Sequence, residues 1–402
     1  MKKSFNLLIL GLVIGGLVLG ITGYLVSQAA PEPMSRKIVV FKSGVLNEPA
    51  REALVKKFGG VKIKDLTLID GKAVLLSPKA EAALAKQAGV LRIDDDVIVE
   101  ALVRGGISAK PTPIQSAETL PWGVDRIDAG KVWTVTTGDP IRVAIIDTGI
   151  DVKHPDLIDN LKGGVSAVGY TTSYNDDNGH GTHVAGIVAA IDNEIGVIGV
   201  GPKIDLYAVK VLDRRGSGNL SDVIEGLEWA ISNGIQVVNM SLGTASNVLS
   251  FQEAVQRVNA AGIVQVAAAG NNYGAVIYPA AYSEVIAVSA TDKTDTIASW
   301  SSRGPEIDLA APGANIYSTY KGSTYKTLSG TSMAAPHVAG TAALVLTTTI
   351  GSWDLDGDGL WDPSEVQNKL EMTAEQVVPD TVSGKDNLYG AGLVDAEKAV
   401  IQ

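Results

Sequence analysis

An α/β fold, with a parallel β-sheet flanked by helices and preceded by a small α+β unit, is predicted by three observations. Beyond residue 121, near-continuous runs of Val, Ile and Ala alternate with longer helix-length stretches. That is the composition of strands buried on both faces and joined by crossover helices. Residues 36–103 alternate shorter strand and helix patterns of their own. Between the two, "RGGISAKPTPIQSAETLP" is rich in Gly, Pro and Ser and reads as an exposed linker. The domains expected are therefore an N-terminal segment (1–30), a small unit with its linker (31–116) and a large unit (117–402). With 402 residues, 46% of them apolar, the chain can build both cores, and disorder is excluded.

In the small unit, "RKIVVFKSG" reads as a strand, "NEPAREALVKKFGG" as a helix stopped by glycines, and "KAVLLS" as a strand. "PKAEAALAKQAG" follows as a second helix, and "VIVEALV" closes the unit as its last strand. In the large unit the strands expected are 141–147, 204–212, 235–242, 262–270 and 284–291, with helices at 180–192, 220–233 and 248–261. A further apolar helix spans Met333 to Leu346, with Pro336 tolerated if it falls in the first turn.

The first residues bear on compartment. Lys2 and Lys3 precede an uncharged apolar run from Phe5 to Val26, and Ser27-Gln28-Ala29 is a small-x-small pattern that a signal peptidase could cut. The run is also near membrane-spanning length, so a secreted protein and one anchored through an uncleaved N-terminal segment both remain open. There is no cysteine, so an exported chain must be braced by packing or bound ions. Residues 31–116 carry 14 Lys and Arg against 10 Asp and Glu, whereas 117–402 carry 17 against 34. An acidic large unit argues against nucleic acid as a partner.

In open parallel sheets, function collects after the carboxyl ends of strands. There stand Asp147, which closes "VAIID", Ser241 to Gly243, and Asn271 in "AAAGNN". A carboxylate after four consecutive apolar strand residues needs a partner. Of the four histidines, His180 precedes a helix and can reach across the sheet edge to Asp147, while His154, His183 and His337 read as buried structural residues. A zinc site at His180 and His183 is disfavoured, because Gly181 stands where the metal motif has glutamate. Ser332 begins the apolar helix, where it is either a cap or a nucleophile held at a positive helix end. If a nucleophile, it would pass its proton to His180 while Asp147 holds the ring. Asn271 is either a turn residue or a side-chain donor to the oxygen of a tetrahedral intermediate, with the Ser332 backbone N–H as the second donor.

The motifs "IIDTGI", "HGTHVAG" and "GTSMAAP", in that order, together with "NMSLG", "AAAGNN", "YPA" and "YGAGLVDAEKA", resemble those of the subtilases, the subtilisin-like serine proteases. The resemblance implies a serine endopeptidase acting on polypeptides through Asp147, His180 and Ser332, with Asn271 in the oxyanion hole. It also implies a cleft that takes a peptide as an added strand, with Ser241, Leu242 and Gly243 as one wall and Ala268, Ala269 and Gly270 as the other. Ile277 stands where the family often has glycine at the pocket floor, which would make that pocket shallower. Residues 36–103 resemble the family's ferredoxin-like propeptide, an intramolecular chaperone and inhibitor whose C-terminal strand lies in the cleft after self-cleavage. Its basic charge suits an acidic protease, and the cut is expected between Leu102 and Ala117. The alternative is a catalytically silent subtilase-like binding or scaffold protein, against which the intact set of Asp147, His180, Ser332 and Asn271 argues.

Calcium is expected at two places. "DLDGDGLWDPSE" fits a calcium-loop pattern, with Asp354, Asp356 and Asp358 at positions 1, 3 and 5, Leu360 through its carbonyl, Asp362 at 9 and Glu365 at 12. A dockerin-like partner module would use such a loop in duplicate, and one copy is present. The second place follows from the subtilase resemblance of "AAIDNEIGVIGV". It takes side-chain oxygens from Glu118, Asp156 and Asn193 and carbonyls from Ile191, Ile195 and Val197, with Glu118 standing where the family commonly has Gln.

Overall fold

Alternation of apolar and charged residues builds the small unit. Strands β1 (Ser35–Phe41), β2 (Val61–Leu66), β3 (Gly71–Leu76) and β4 (Val90–Asp95) form a sheet in the order β2-β3-β1-β4, antiparallel throughout. Helices α1 (Glu48–Lys57) and α2 (Pro78–Leu84) start at Asn47 and Ser77, whose side chains accept from backbone amides as N-caps. Val39, Phe41, Val55, Val74, Leu76 and Leu84 make a core beneath them. The computed structural model describes residues 32–103, 117–377 and 385–402. The expected export segment and most of the linker lie outside these. Among the described residues no helix is long and apolar enough to cross a membrane.

Local pattern places "VIVEALV" as the last strand of the small unit, whereas the propeptide resemblance places it in the cleft. Its ordered part, β5 (Ile98–Ala101), leaves the small sheet, where β4 takes the edge beside β1, and joins the large unit. The large unit begins with α3 (Trp122–Arg126) and is built on β6 (Arg142–Asp147), β7 (Leu161–Ser166), α4 (His180–Ala189), β8 (Asp205–Lys210), β9 (Ser217–Asn219), α5 (Leu220–Ser232), β10 (Val237–Met240), β11 (Leu242–Gly243) and α6 (Leu249–Ala260). There follow β12 (Val264–Ala268), β13 (Ile286–Thr291), β14 (Leu309–Pro312), the hairpin β15 (Ile316–Tyr320) and β16 (Thr324–Leu328), α7 (Thr331–Val345), α8 (Pro363–Met372) and α9 (Ala396–Ile401).

Seven strands pair in parallel in the order β14-β13-β12-β10-β6-β8-β7. From β6 the chain crosses to β7 at the edge, comes back through β8, and then continues on the other side of β6 through β10, β12, β13 and β14. The strand order therefore reverses between β6 and β10, and such a switch point opens a crevice at the carboxyl edge. Helix α7 is buried along all of its length, which its Ala- and Gly-rich sequence permits by letting neighbouring elements approach closely.

The two units meet through complementary charge. Lys64 Nζ lies 2.5 Å from carboxylate oxygens of both Asp222 and Glu225 on α5, and Arg92 pairs with Glu253 on α6 at 2.6 Å. Two acidic residues of the small unit also cap the large unit's helices. Asp96 accepts from Ser221 N at the start of α5 (2.8 Å), and Asp94 accepts from Ser250 N (3.1 Å) and Ser250 Oγ (2.5 Å) at the start of α6.

Candidate active site

At the switch point, β6 ends in Asp147, fully buried. Its Oδ1 accepts from Thr148 N (2.7 Å), and the two oxygens lie 2.7 and 2.8 Å from His180 Nδ1. Contact with both oxygens fixes the imidazole plane and leaves Nε2, for which the described residues provide no hydrogen-bond partner. His180 is the first residue of α4 rather than a residue preceding the helix, and is 3% exposed. Ala101 and Val103 of the inserted segment line the same cleft. The turn before His180 is organised by buried Asp176, which accepts from Thr148 Oγ1, Asn178 N, Gly179 N, Thr182 N and Thr182 Oγ1. Burial pushes the Asp176 carboxyl above its ordinary range, and these donors oppose the shift.

Ser332 sits in the first turn of α7 and is fully buried. Its Oγ donates to the carbonyl oxygen of Ser241 at 2.9 Å. Pro336 lies in the second turn of this helix, one turn further in than expected. Having no N–H, it leaves the carbonyl of Ser332 without its helical donor. Ser241 Oγ supplies one at 2.9 Å and is itself reached by Asn239 Nδ2 at 2.9 Å. The irregular helix start is thus tied to the strand end across the crevice. Asn271 Oδ1 accepts from Thr331 N (2.9 Å) and Thr331 Oγ1 (3.0 Å), which orients its Nδ2 toward the cleft.

The cleft holds a strand. β5 pairs antiparallel with β11 on one edge (Leu242 opposite Ala101, Gly243 opposite Glu100) and with β9 on the other (Gly218 opposite Val99). Beyond it, Leu102 N donates to Ser241 O at 3.2 Å, and the Leu102 carbonyl accepts from Asn271 Nδ2 at 2.5 Å. Ser241, Leu242 and Gly243 thus line the inserted segment. Ala268 and Ala269 are fully buried behind it, with Gly270 tied through its N–H to Thr331 Oγ1 (3.1 Å). Sequence reasoning missed the second edge, β9. Its one available signal was the Gly216-Ser217-Gly218 run, where the absence of side chains lets a backbone approach closely. Ile277 lines the cleft beside Leu102, packed so closely that a Cβ on Gly243 would lie 2.6 Å from its Cδ1.

The remaining histidines are buried. His183 Nε2 is 2.9 Å from Lys326 O, His154 Nε2 is 3.0 Å from Thr324 O, and His337 Nδ1 is 2.8 Å from Met333 O. Burial pushes His183 down to about 3 and His337 to about 4.

Carboxylate oxygens of Asp354, Asp356 and Asp358 lie within 4.8 Å of one another. No lysine or arginine pairs with them among the described residues, so three hard anionic donors face one point, which fits a calcium ion. Asp362 is engaged in capping α8 and Glu365 folds back to Leu355 N (2.6 Å). The amide of Leu360 donates to Asp358 Oδ1. At the second place, Asp156 accepts from Val197 N and from Asn193 Nδ2, both at 2.9 Å. Glu118 accepts from Asn193 N at 2.7 Å, and Asn193 Oδ1 accepts from Ile195 N at 2.7 Å, while Ile191 N reaches the Asp156 carbonyl. Burial pushes the carboxyls of Asp156 and Glu118 up, and neighbouring carboxylates add to the rise at Glu118. A cation would relieve both.

A peptide held as an extra strand against a serine at a helix start is what a peptide-bond hydrolase requires, and comparison with known proteins supplies the family. Residues 138–392 match the subtilase family, to which the chain belongs. It is 47% identical over 292 residues to a thermostable alkaline protease of Halalkalibacterium halodurans, covering 72% of this chain and 76% of that one. It is likewise 47% identical over 285 residues to subtilisin Savinase of Lederbergia lenta (70% and 99% covered), and 39% identical over 384 residues to subtilisin amylosacchariticus of Bacillus subtilis subsp. amylosacchariticus (93% of each). The protein is a serine endopeptidase acting on polypeptides.

Proposed function

We propose that this endopeptidase is made as a zymogen, exported through residues 1–30, and works through Asp147, His180 and Ser332 with Asn271 as oxyanion donor. The observation that carries the reading is the buried imidazole held by both oxygens of Asp147, with Nε2 left to take a proton. Ser332 Oγ rotates from Ser241 O toward that nitrogen and attacks a substrate carbonyl as His180 takes its proton. The oxygen of the tetrahedral intermediate receives donors from Asn271 Nδ2 and the Ser332 N–H. His180 then protonates the leaving amine, and water hydrolyses the acyl-enzyme by the same route. Residues 31–103 act as propeptide, templating the fold by capping α5 and α6 and inhibiting it by filling the cleft. Calcium at Asp354, Asp356 and Asp358 braces the loop before α8. Glu118, Asp156 and Asn193, with nearby carbonyls, offer a second site, and both ions are structural.

Purified Ser332→Ala precursor tests the reading. It is expected to stay full length without protease activity, while wild type sheds its propeptide. Loss of the leading residues from the purified variant would show that another group does the cutting.

A further inference from the structure

We propose that the bond cut in maturation is Leu102–Val103. The inference rests on the reading of Ser332 as nucleophile and adds the place of attack. Register fixes it. Ala101 lies opposite Leu242 and Glu100 opposite Gly243, and the next pair in the same antiparallel run is Leu102 with Ser241, whose carbonyl accepts Leu102 N at 3.2 Å. That same carbonyl oxygen accepts Ser332 Oγ at 2.9 Å. The hydroxyl and the Leu102 backbone thus share one acceptor.

The Leu102 carbonyl is the one polarised. It accepts from Asn271 Nδ2 at 2.5 Å and points at the start of α7, where a Cβ on Gly330 would lie 2.5 Å from its oxygen. Gly330 is extended, a conformation open to any residue, so glycine is needed there for space and not for backbone freedom. The preceding carbonyl does not share this setting, because the ladder faces the Ala101 backbone toward Gly216 O on the opposite edge. Val99 is fully buried and Leu102 is half-buried against the core, whereas Ile98 is 55% exposed.

In the step proposed, Ser332 Oγ bonds to the Leu102 carbonyl carbon and its proton passes to His180 Nε2. The bond from that carbon to Val103 N breaks, and the nitrogen leaves with the proton from His180. Water then releases the Leu102 carboxylate and restores the hydroxyl. The acid product keeps the strand pairing and remains in the cleft as an inhibitor.

The test uses full-length precursor, refolded and quenched in acid at successive times, with intact masses of both fragments measured. The earliest propeptide fragment is expected to end at Leu102 and its counterpart to begin at Val103. A propeptide ending within 104–116 with Leu102–Val103 intact would overturn the inference while leaving self-processing standing. A precursor that is never cut, like Ser332→Ala, would instead defeat the reading beneath it. As a second arm, Leu102→Asp is expected to slow processing at least tenfold and Val45→Asp, at an exposed position of the small unit outside β5, to leave it within twofold, with folding checked by melting of each variant on the Ser332→Ala background. Equal rates for both variants would also overturn it.

Discussion

Helix α6 starts after Val248, which has no side-chain oxygen to cap it. The cap comes instead from Asp94, 156 residues earlier in β4 of the small unit, through Ser250 N and Ser250 Oγ. Replacing Asp94 by Ala removes an N-cap interaction of roughly 0.5–2 kcal/mol and an anion near a positive helix end, about 0.3–1 kcal/mol. Arg92 loses one partner but keeps Glu253, so no cation is left unpaired. The sum lies near 1.5 kcal/mol, about a tenfold change in an equilibrium constant. Propeptide carrying Asp94→Ala is therefore expected to inhibit mature enzyme with an inhibition constant about tenfold higher than the parent. The assay is inhibition of peptide hydrolysis at several propeptide concentrations, with circular dichroism of both propeptides alongside. Equal inhibition by propeptides of equal fold would refute the claim that this carboxylate holds the two units together.

Other expectations follow from the ion loop and the buried rings. Replacing Asp354 and Asp356 together by Ala should lower Tm in calcium, with about 2.7 kcal/mol lost at a hundredfold excess over Kd, while kcat stays near wild type. Calorimetry with paired kinetics decides, and an unchanged Tm would count against a stabilising ion. His337 is held near 4, below the ordinary imidazole value of about 6.5. Between those limits the unfolded chain binds a proton that the folded one refuses, so stability from the neutral ring is full above about pH 6.5 and is lost as pH falls toward 4. On the Ser332→Ala background, the stability advantage of His337 over His337→Gln should narrow by about 2 kcal/mol from pH 7 to 5, since each pKa unit is worth about 1.4 kcal/mol. Denaturant titrations at the two pH values measure it, and a constant difference would argue against a buried neutral ring.

Where local pattern decided structure, the sequence was readable. Apolar runs located β6, β8, β10, β12 and β13, and the small-residue helix after Ser332 formed as α7. Where a distant partner decided, it was not. The helix expected at 180–192 stops after Ala189, because Ala190 turns extended and Ile191 N donates to the Asp156 carbonyl, although the apolar pattern continues. β4 was overlooked because "VLRIDD" carries charges along a strand of which only Val90 is buried. "VIVEALV" was recognised as a strand, but its pattern alone left it with the small unit and only the propeptide resemblance placed it in the cleft, since alternation gives a strand's faces and is silent about its neighbours. In the site, Asp147 and Ser332 stood out as residues unsuited to their apolar surroundings. Asp176 did not, because Asp-Asp-Asn reads as an ordinary turn until five donors are seen to converge on it.

A strand held on both edges does not leave because one bond beyond its end is broken. While β5 is tethered, its effective concentration at the cleft is of millimolar order, and occupancy is assured. After scission the same contacts become a bimolecular association that dilution weakens, so liberation of activity lags behind cleavage. On the proposed maturation, the first molecule to lose its plug would digest the plugs of others, and onset would become contagious through the population. The expected time course is a lag abolished by a trace of mature enzyme. A single exponential indifferent to both seeding and protein concentration would mean that β5 dissociates as soon as it is cut.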